Sequence, residues 1–219
     1  MAYQTDIEKR TYDAIGAASD TILSALDAAT IADVASDALW TVARMLPHEL
    51  LLKLTEDDTD IEVLNSANTK IIDKILLHVE KNDGTNFVPC KEISITESEK
   101  ALNADSVYKA TDASPVYWLD SNEKIKFAPD TADEKGARYY AYTRQILPDL
   151  SDDLVGLPKE AYGAVIYLTA SDIIKTALHT FTEDESPEEY ALWKTHSDEL
   201  LNQFAKEIKT IKGIEGDEA

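Results

Sequence analysis

Apolar residues in the first fifty positions fall at helical intervals. Ile7, Ile15, Ala18, Ile22 and Leu26 follow one another at steps built from three and four, which predicts a helical stretch from Thr5 to about Ala29. Thr30 then offers an N-cap, with Asp33 in the acidic position of a capping-box-like start. The stripe Ile31, Val34, Ala38, Val42 and Met45 predicts a second helix, which Pro47 should end. "HELLLKL" follows as a short apolar segment. "EDDTDIE", with Asp57, Asp58 and Asp60, reads as a solvated loop or helix start.

The pattern changes character at Lys74. "KILLHVEK" and "FVPCKEISI" are strand-like, and Asp83-Gly84 between them is a turn signal. "ESEKALN" could supply a helical turn. "ASPVYWLDSNEKIKFAPD" then reads as a β-hairpin, with Tyr117, Trp118 and Leu119 on one arm and Ile125 and Phe127 on the other. "DSNE" joins the arms, and Pro115 and Pro129 bracket the pair where a missing N–H does least harm. "ARYYAYTRQI" supplies a further strand, so an antiparallel β region is expected over about 74–146.

Helical spacing returns after Pro158. One segment has an apolar face through Val165, Leu168, Ile173, Ala177 and Phe181. The last is the best specified: Ser186 as N-cap, Pro187 and Glu189 in the first turn, Gly213 as terminator. Its stripe runs through Tyr190, Trp193, Ser197, Leu200, Phe204, Ile208 and Ile211. The expected fold class is α+β. It consists of a helical bundle from both termini (1–54 and 157–213) with the β region inserted, as a single domain over 1–219. Leu39, Val42, Leu168, Trp193 and Phe204 are the expected core of the bundle.

Length and composition agree with a globular chain. At 219 residues and 44% hydrophobic content it can bury a core without disulfides or metal staples. Cys90 is the single cysteine, so no intramolecular disulfide is possible, and its apolar neighbours predict a buried, inert thiol. "MAYQTDIEKR" lacks the apolar run of a signal peptide, and no apolar run approaches the ~20 residues of a membrane span. The expectation is a soluble protein with no membrane partner.

Charge changes the picture more. With 21 Lys and Arg against 42 Asp and Glu, the net charge is −21. Affinity for nucleic acid comes mainly from cations neutralising phosphates, so a DNA-gripping role is excluded. A surface that lets DNA pass without sticking is not.

Templates for catalysis fail in turn. "HELLL" at His48 begins like a zinc-protease motif, but the second histidine would have to stand where Leu52 is. His48, His78, His179 and His196 show no ligand-like spacing. Ser121 and Lys124 match S-x-x-K, yet on a hairpin turn rather than at a helix start. Seven glycines provide no dinucleotide, phosphate-loop or nucleophile-elbow motif. The acids at 57–60 lack the glycine and terminal glutamate of a calcium loop. The sequence therefore predicts no enzyme, no metal and no cofactor.

The aromatics carry more. Tyr108, Tyr117, Trp118, Tyr139, Tyr140 and Tyr142 all lie in the β region. They either cover one sheet face, or they include residues that pack on another subunit, since a small sheet with alternating aromatics cannot bury both faces internally.

From about Lys74 to Leu178 the order of elements resembles the head-to-tail adaptor (neck) proteins of tailed bacteriophages. The resemblance rests on "KILLHVEKNDGTNFVPCKEISI", "SVYKATDASPVYWLDSNEKIKFAPD", "ARYYAYTRQI" and "LVGLPKEAYGAVIYLTASDIIKTAL", about half the chain. It implies a structural virion protein that forms a twelvefold ring between the portal and the tail or nozzle proteins. Such a protein is assembled in the host cytoplasm and lines the DNA channel in the virion neck. The long N-terminal helical region is less typical of the short adaptors. An acidic channel lining would repel phosphates without specific contacts, which agrees with the charge. The alternatives are another virion or assembly protein and an acidic DNA mimic that occupies a nuclease or repressor.

Strand alternation places Tyr117, Leu119, Ile125 and Phe127 on one face of the hairpin and Trp118, Lys124 and Lys126 on the other. An indole beside two lysines is unusual in so acidic a chain. Tyr117, Trp118, Lys124, Lys126 and Phe127 are therefore the candidate subunit interface, with Trp118 as anchor.

Overall fold

The first helix stops where a glycine allows it to. α1 (Ile7–Ile15) ends at Gly16, whose φ of +85° lies in the left-handed region, and the Gly16 N–H reaches the Tyr12 carbonyl at 2.9 Å. The single helical stretch expected from Thr5 to Ala29 is therefore interrupted. α2 (Ala28–Met45) begins ahead of Thr30, because Asp27 and not Thr30 is the N-cap. The Asp27 carboxylate accepts the Thr30 N–H at 2.7 Å, and Asp33 is left exposed on the first turns. The helix ends at Leu46, before Pro47, and α3 (His48–Thr55) follows at once.

The computed structural model describes residues 7–16, 22, 24–55, 62–64, 73–122, 124–129, 137–147, 157–179 and 187–213. The acids at 57–60, Phe181 and Ser186 lie outside them. The chain separates into two compact units rather than the one domain expected. The first is discontinuous and comprises Met1–Leu51 and Gln145–Ala219; the second is Leu52–Arg144.

In the first unit helices from both ends of the chain pack together. A 3-10 turn (Lys159–Ala161), capped by Pro158, leads into α5 (Tyr162–Leu178), which packs against α1, α2 and α6 (Pro187–Ile211). That central place explains its composition: Ala164, Val165, Ala170, Ile173, Ile174 and Ala177 are all fully buried. Leu39, Val42 and Leu168 are buried as expected, whereas Trp193 and Phe204 are only half-buried. α6 covers α5 along a narrow stripe in which only Ser197, Leu200 and Ile208 are buried, and the flanking aromatics reach the solvent edge.

Ser197 breaks the apolar stripe of α6 for a packing reason. Its hydroxyl lies 2.8 Å from that of Ser171 on α5, and each hydroxyl also lies 3.1 Å from the other residue's carbonyl oxygen, so one proton runs between the hydroxyls while the other goes to a carbonyl. Both hydroxyls are satisfied where two small residues let the helices approach. Two more long-range bonds tie the unit together. Ser36 Oγ accepts the Leu147 N–H at 2.9 Å, and His196 Nε2 lies 3.0 Å from the Ala14 carbonyl.

The second unit contains two sheets. One has the order β1-β7-β2-β3, formed by β1 (Glu62–Leu64), β2 (Lys74–Asn82), β3 (Phe87–Pro89) and β7 (Ala137–Thr143), all antiparallel. The other has the order β4-β5-β6, from β4 (Lys91–Glu92), β5 (Val116–Leu119) and β6 (Ile125–Ala128). Described strands thus begin at Glu62, earlier than the expected boundary at 74. The region is also not purely antiparallel, because β4 and β5 run parallel. Parallel neighbours need a long crossover, and here it contains α4 (Ile95–Leu102), a full helix where a turn was expected. The class α+β is the one observed.

Candidate interaction surface of the β unit

The hairpin register pairs Tyr117 with Phe127, Trp118 with Lys126 and Leu119 with Ile125. The two faces are those the alternation predicts, but both are used inside the unit. Tyr117 and Ile125 join Val79, Ala137, Tyr139 and Ala141 in one apolar cluster, with Phe127 packed against it. Trp118 and Ala128 join Ala101 and Ala110 in a second, with Val116 and Ile93 alongside. The expectation that such a sheet cannot bury both its faces internally is overturned by α4 and the segment after it, which cover the second face.

Trp118 is consequently only 8% exposed, and Tyr117 6%. The Tyr117 hydroxyl donates to Glu92 Oε2 at 3.2 Å, and burial together with that carboxylate pushes its phenol well above the ordinary value. Of the five candidate interface residues, Lys124, Lys126 and Phe127 are half-buried and keep some surface. The indole, as the expected anchor, is committed to its own unit. Asp120 closes the turn between the strands: its carboxylate accepts the N–H groups of Asn122 (2.8 Å) and Lys124 (3.0 Å), which holds its pKa below the ordinary range.

α4 starts with a complete capping box. Glu97 accepts the Ser94 N–H at 2.9 Å and the Ser94 hydroxyl at 2.8 Å, and those bonds lower its pKa. Beside this helix the 103–114 segment forms turns, and a cavity of about 540 Å³ opens between them and β5. Lys91, Lys100 and Lys109 line it together with Val107 and Tyr108. Val107 is 92% exposed and Tyr108 73%, and Ile95 and Leu102 are exposed on α4. None of these residues except Tyr108 stood out in the sequence. The available signal was an apolar Val-Tyr pair set in a run without period, "NADSVYKATDAS".

Polar contacts brace both sides of the larger sheet. Lys81 sits on the core side, 1% exposed, with its ammonium 2.7 Å from Asp112. On the opposite side Arg138 makes a close ion pair with Glu80 and stacks over Phe87, 4.1 Å from the ring centroid. Glu80 also meets His78 at 3.3 Å. Lys74 donates to the Tyr139 hydroxyl at 3.1 Å. Cys90 is half-buried rather than buried as expected, and desolvation pushes its thiol up to about 12, which leaves little thiolate at neutral pH. Ser121 and Lys124 occupy the hairpin turn, and among the described residues no group of three or more His, Cys, Asp or Glu is placed to hold a metal ion.

No helix among the described residues is long and apolar enough to cross a membrane. No family model matches the chain, and no curated protein is significantly similar to it.

Proposed function

We propose that this chain is a structural, non-enzymatic virion protein: a head-to-tail adaptor that assembles as a ring between a phage portal and its tail and lines the DNA channel. The observation that carries this reading is how the negative charge is distributed. The helical unit holds 24 acids against 9 bases, and the β unit 18 against 12. Asp33, Asp37, Glu188, Glu189, Asp198 and Glu199 all stand exposed on its helices. A helical surface of that sign repels phosphate without binding it, which suits a conduit for DNA. The β unit, closer to neutral and carrying exposed apolar residues, suits protein contacts.

The test is to mix the purified protein with portal rings and follow complex formation by sedimentation and electron microscopy. The expected outcome is a ring of this chain stacked on the portal, with no measurable duplex-DNA binding at physiological salt. Failure to dock on any portal, or tight and salt-sensitive DNA binding, overturns the reading. Stoichiometric capture of a nuclease or repressor would favour the DNA mimic instead.

A further inference from the structure

The cavity beside α4 concentrates cations in a strongly acidic chain. Its walls carry three lysines against one acid, Glu97, which is held by Ser94 in the capping box and also feels the charges of Lys91 and Lys100, so the lining keeps a positive excess. Val107 and Tyr108 add apolar surface to the same opening at 92% and 73% exposure. A basic rim around exposed apolar side chains is the complement of an acidic surface with an apolar knob.

The same chain carries such a surface. On α6, Glu188, Leu192, Thr195 and Glu199 follow at i, i+4, i+7 and i+11, so they form one line along the helix. All four are exposed, and Leu192, at 62%, is the large apolar residue in it. Glu188 and Glu199 flank it over a span of about 16 Å. Glu199 pairs with His196 at 3.7 Å.

We infer that the α4 cavity of one copy receives the Glu188–Leu192–Glu199 line of α6 from a second copy. Leu192 packs on Val107 and Tyr108, and the two carboxylates face Lys91, Lys100 and Lys109. The contact is heterologous, because the two surfaces lie on different parts of the chain; such a contact closes into a ring or runs on as a filament. The inference rests on the self-assembly proposed above and adds the surfaces that make it.

The experiment uses the full chain in a Cys90→Ser background. Val107→Cys and Leu192→Cys variants are mixed and oxidised, and crosslinked dimers are read on non-reducing gels. A heterodisulfide between the two variants is expected, with little homodimer of either. Adding Lys100→Glu and Lys109→Glu to the Val107→Cys chain should cut the yield about tenfold. Adding Glu188→Lys and Glu199→Lys to the partner chain should restore it. All six positions are on the surface, and circular dichroism checks that each variant folds. Absence of the heterodisulfide, or a yield indifferent to charge reversal, overturns the contact. A portal-bound ring without this crosslink removes the contact and leaves the adaptor reading standing; crosslinked copies that never dock on a portal do the reverse.

Discussion

The ammonium of Lys81 lies 2.7 Å from the Asp112 carboxylate, and the two ends of this ion pair differ sharply in exposure: the lysine side chain is 1% exposed and the aspartate 53%. Removing either partner should therefore have unequal effects. Asp112→Ala strands a cation on the core side of the sheet and should cost about 2 kcal/mol. Lys81→Met leaves a carboxylate that water can reach and should cost less than about 1 kcal/mol. Urea unfolding of the two variants measures the difference; equal losses would show that the pair matters as a contact and not as a solvation device.

Trp118 should behave as a core residue. Trp118→Ala removes most of the cluster between the hairpin and α4 and should cost about 3–5 kcal/mol. Lys126→Glu, on a half-buried neighbour across the strand, should leave the melting transition nearly unchanged. An indole truncation that left stability intact would contradict the burial described for it.

Gly163 offers a stabilising change. A Cβ built there meets the Glu207 carboxyl group at 3.3–3.5 Å, the far end of a flexible side chain that can give way. Gly163 is in the first turn of α5, where alanine is still the better helix former, so Gly163→Ala should raise stability by about 0.5 kcal/mol. A lower melting temperature would show that Glu207 is held more rigidly than its position indicates.

The acid limb of the stability curve should depend on capping carboxylates. Backbone N–H bonds hold Asp27 below its ordinary value of 3.8, and Glu97 below 4.5. Each group binds fewer protons folded than unfolded in this range. Its stabilisation is thus present above the unfolded value and lost as pH falls through the folded one. Asp27→Asn keeps a capping oxygen but cannot titrate, so stability measured from about pH 5 to about pH 2 should fall less steeply in the variant. Identical slopes would remove Asp27 from the acid transition.

The helices were legible because periodicity reports burial directly: Leu39, Val42 and Leu168 are where the spacing placed them. Starts and stops were less so. Thr30 and Asp27 are both good caps, and only the backbone turn decides that Asp27 accepts and Thr30 donates. Gly16 lies within the stretch that periodicity reads as one helix, and its left-handed φ ends α1. The hairpin register followed from alternation, but the destination of Trp118 did not. That depended on α4 being a full helix, and eight residues with a modest apolar face give a weak periodic signal. The lysines of the cavity come from a strand, a helix and a loop, so no sequence spacing could have gathered them.

The division of the chain also orders events during synthesis. Ala14 accepts its bond from a histidine 182 positions later, and Ser36 waits 111 positions for Leu147. The strand pairings and ion pairs of Leu52–Arg144 lie within that contiguous stretch. A ribosome releasing residues in order therefore completes the second unit while the amino-terminal helices still lack α5 and α6. At ~5–20 residues per second, those helices keep their apolar faces uncovered for several seconds. In the newborn chain the middle matures first, and its two flanks are joined last.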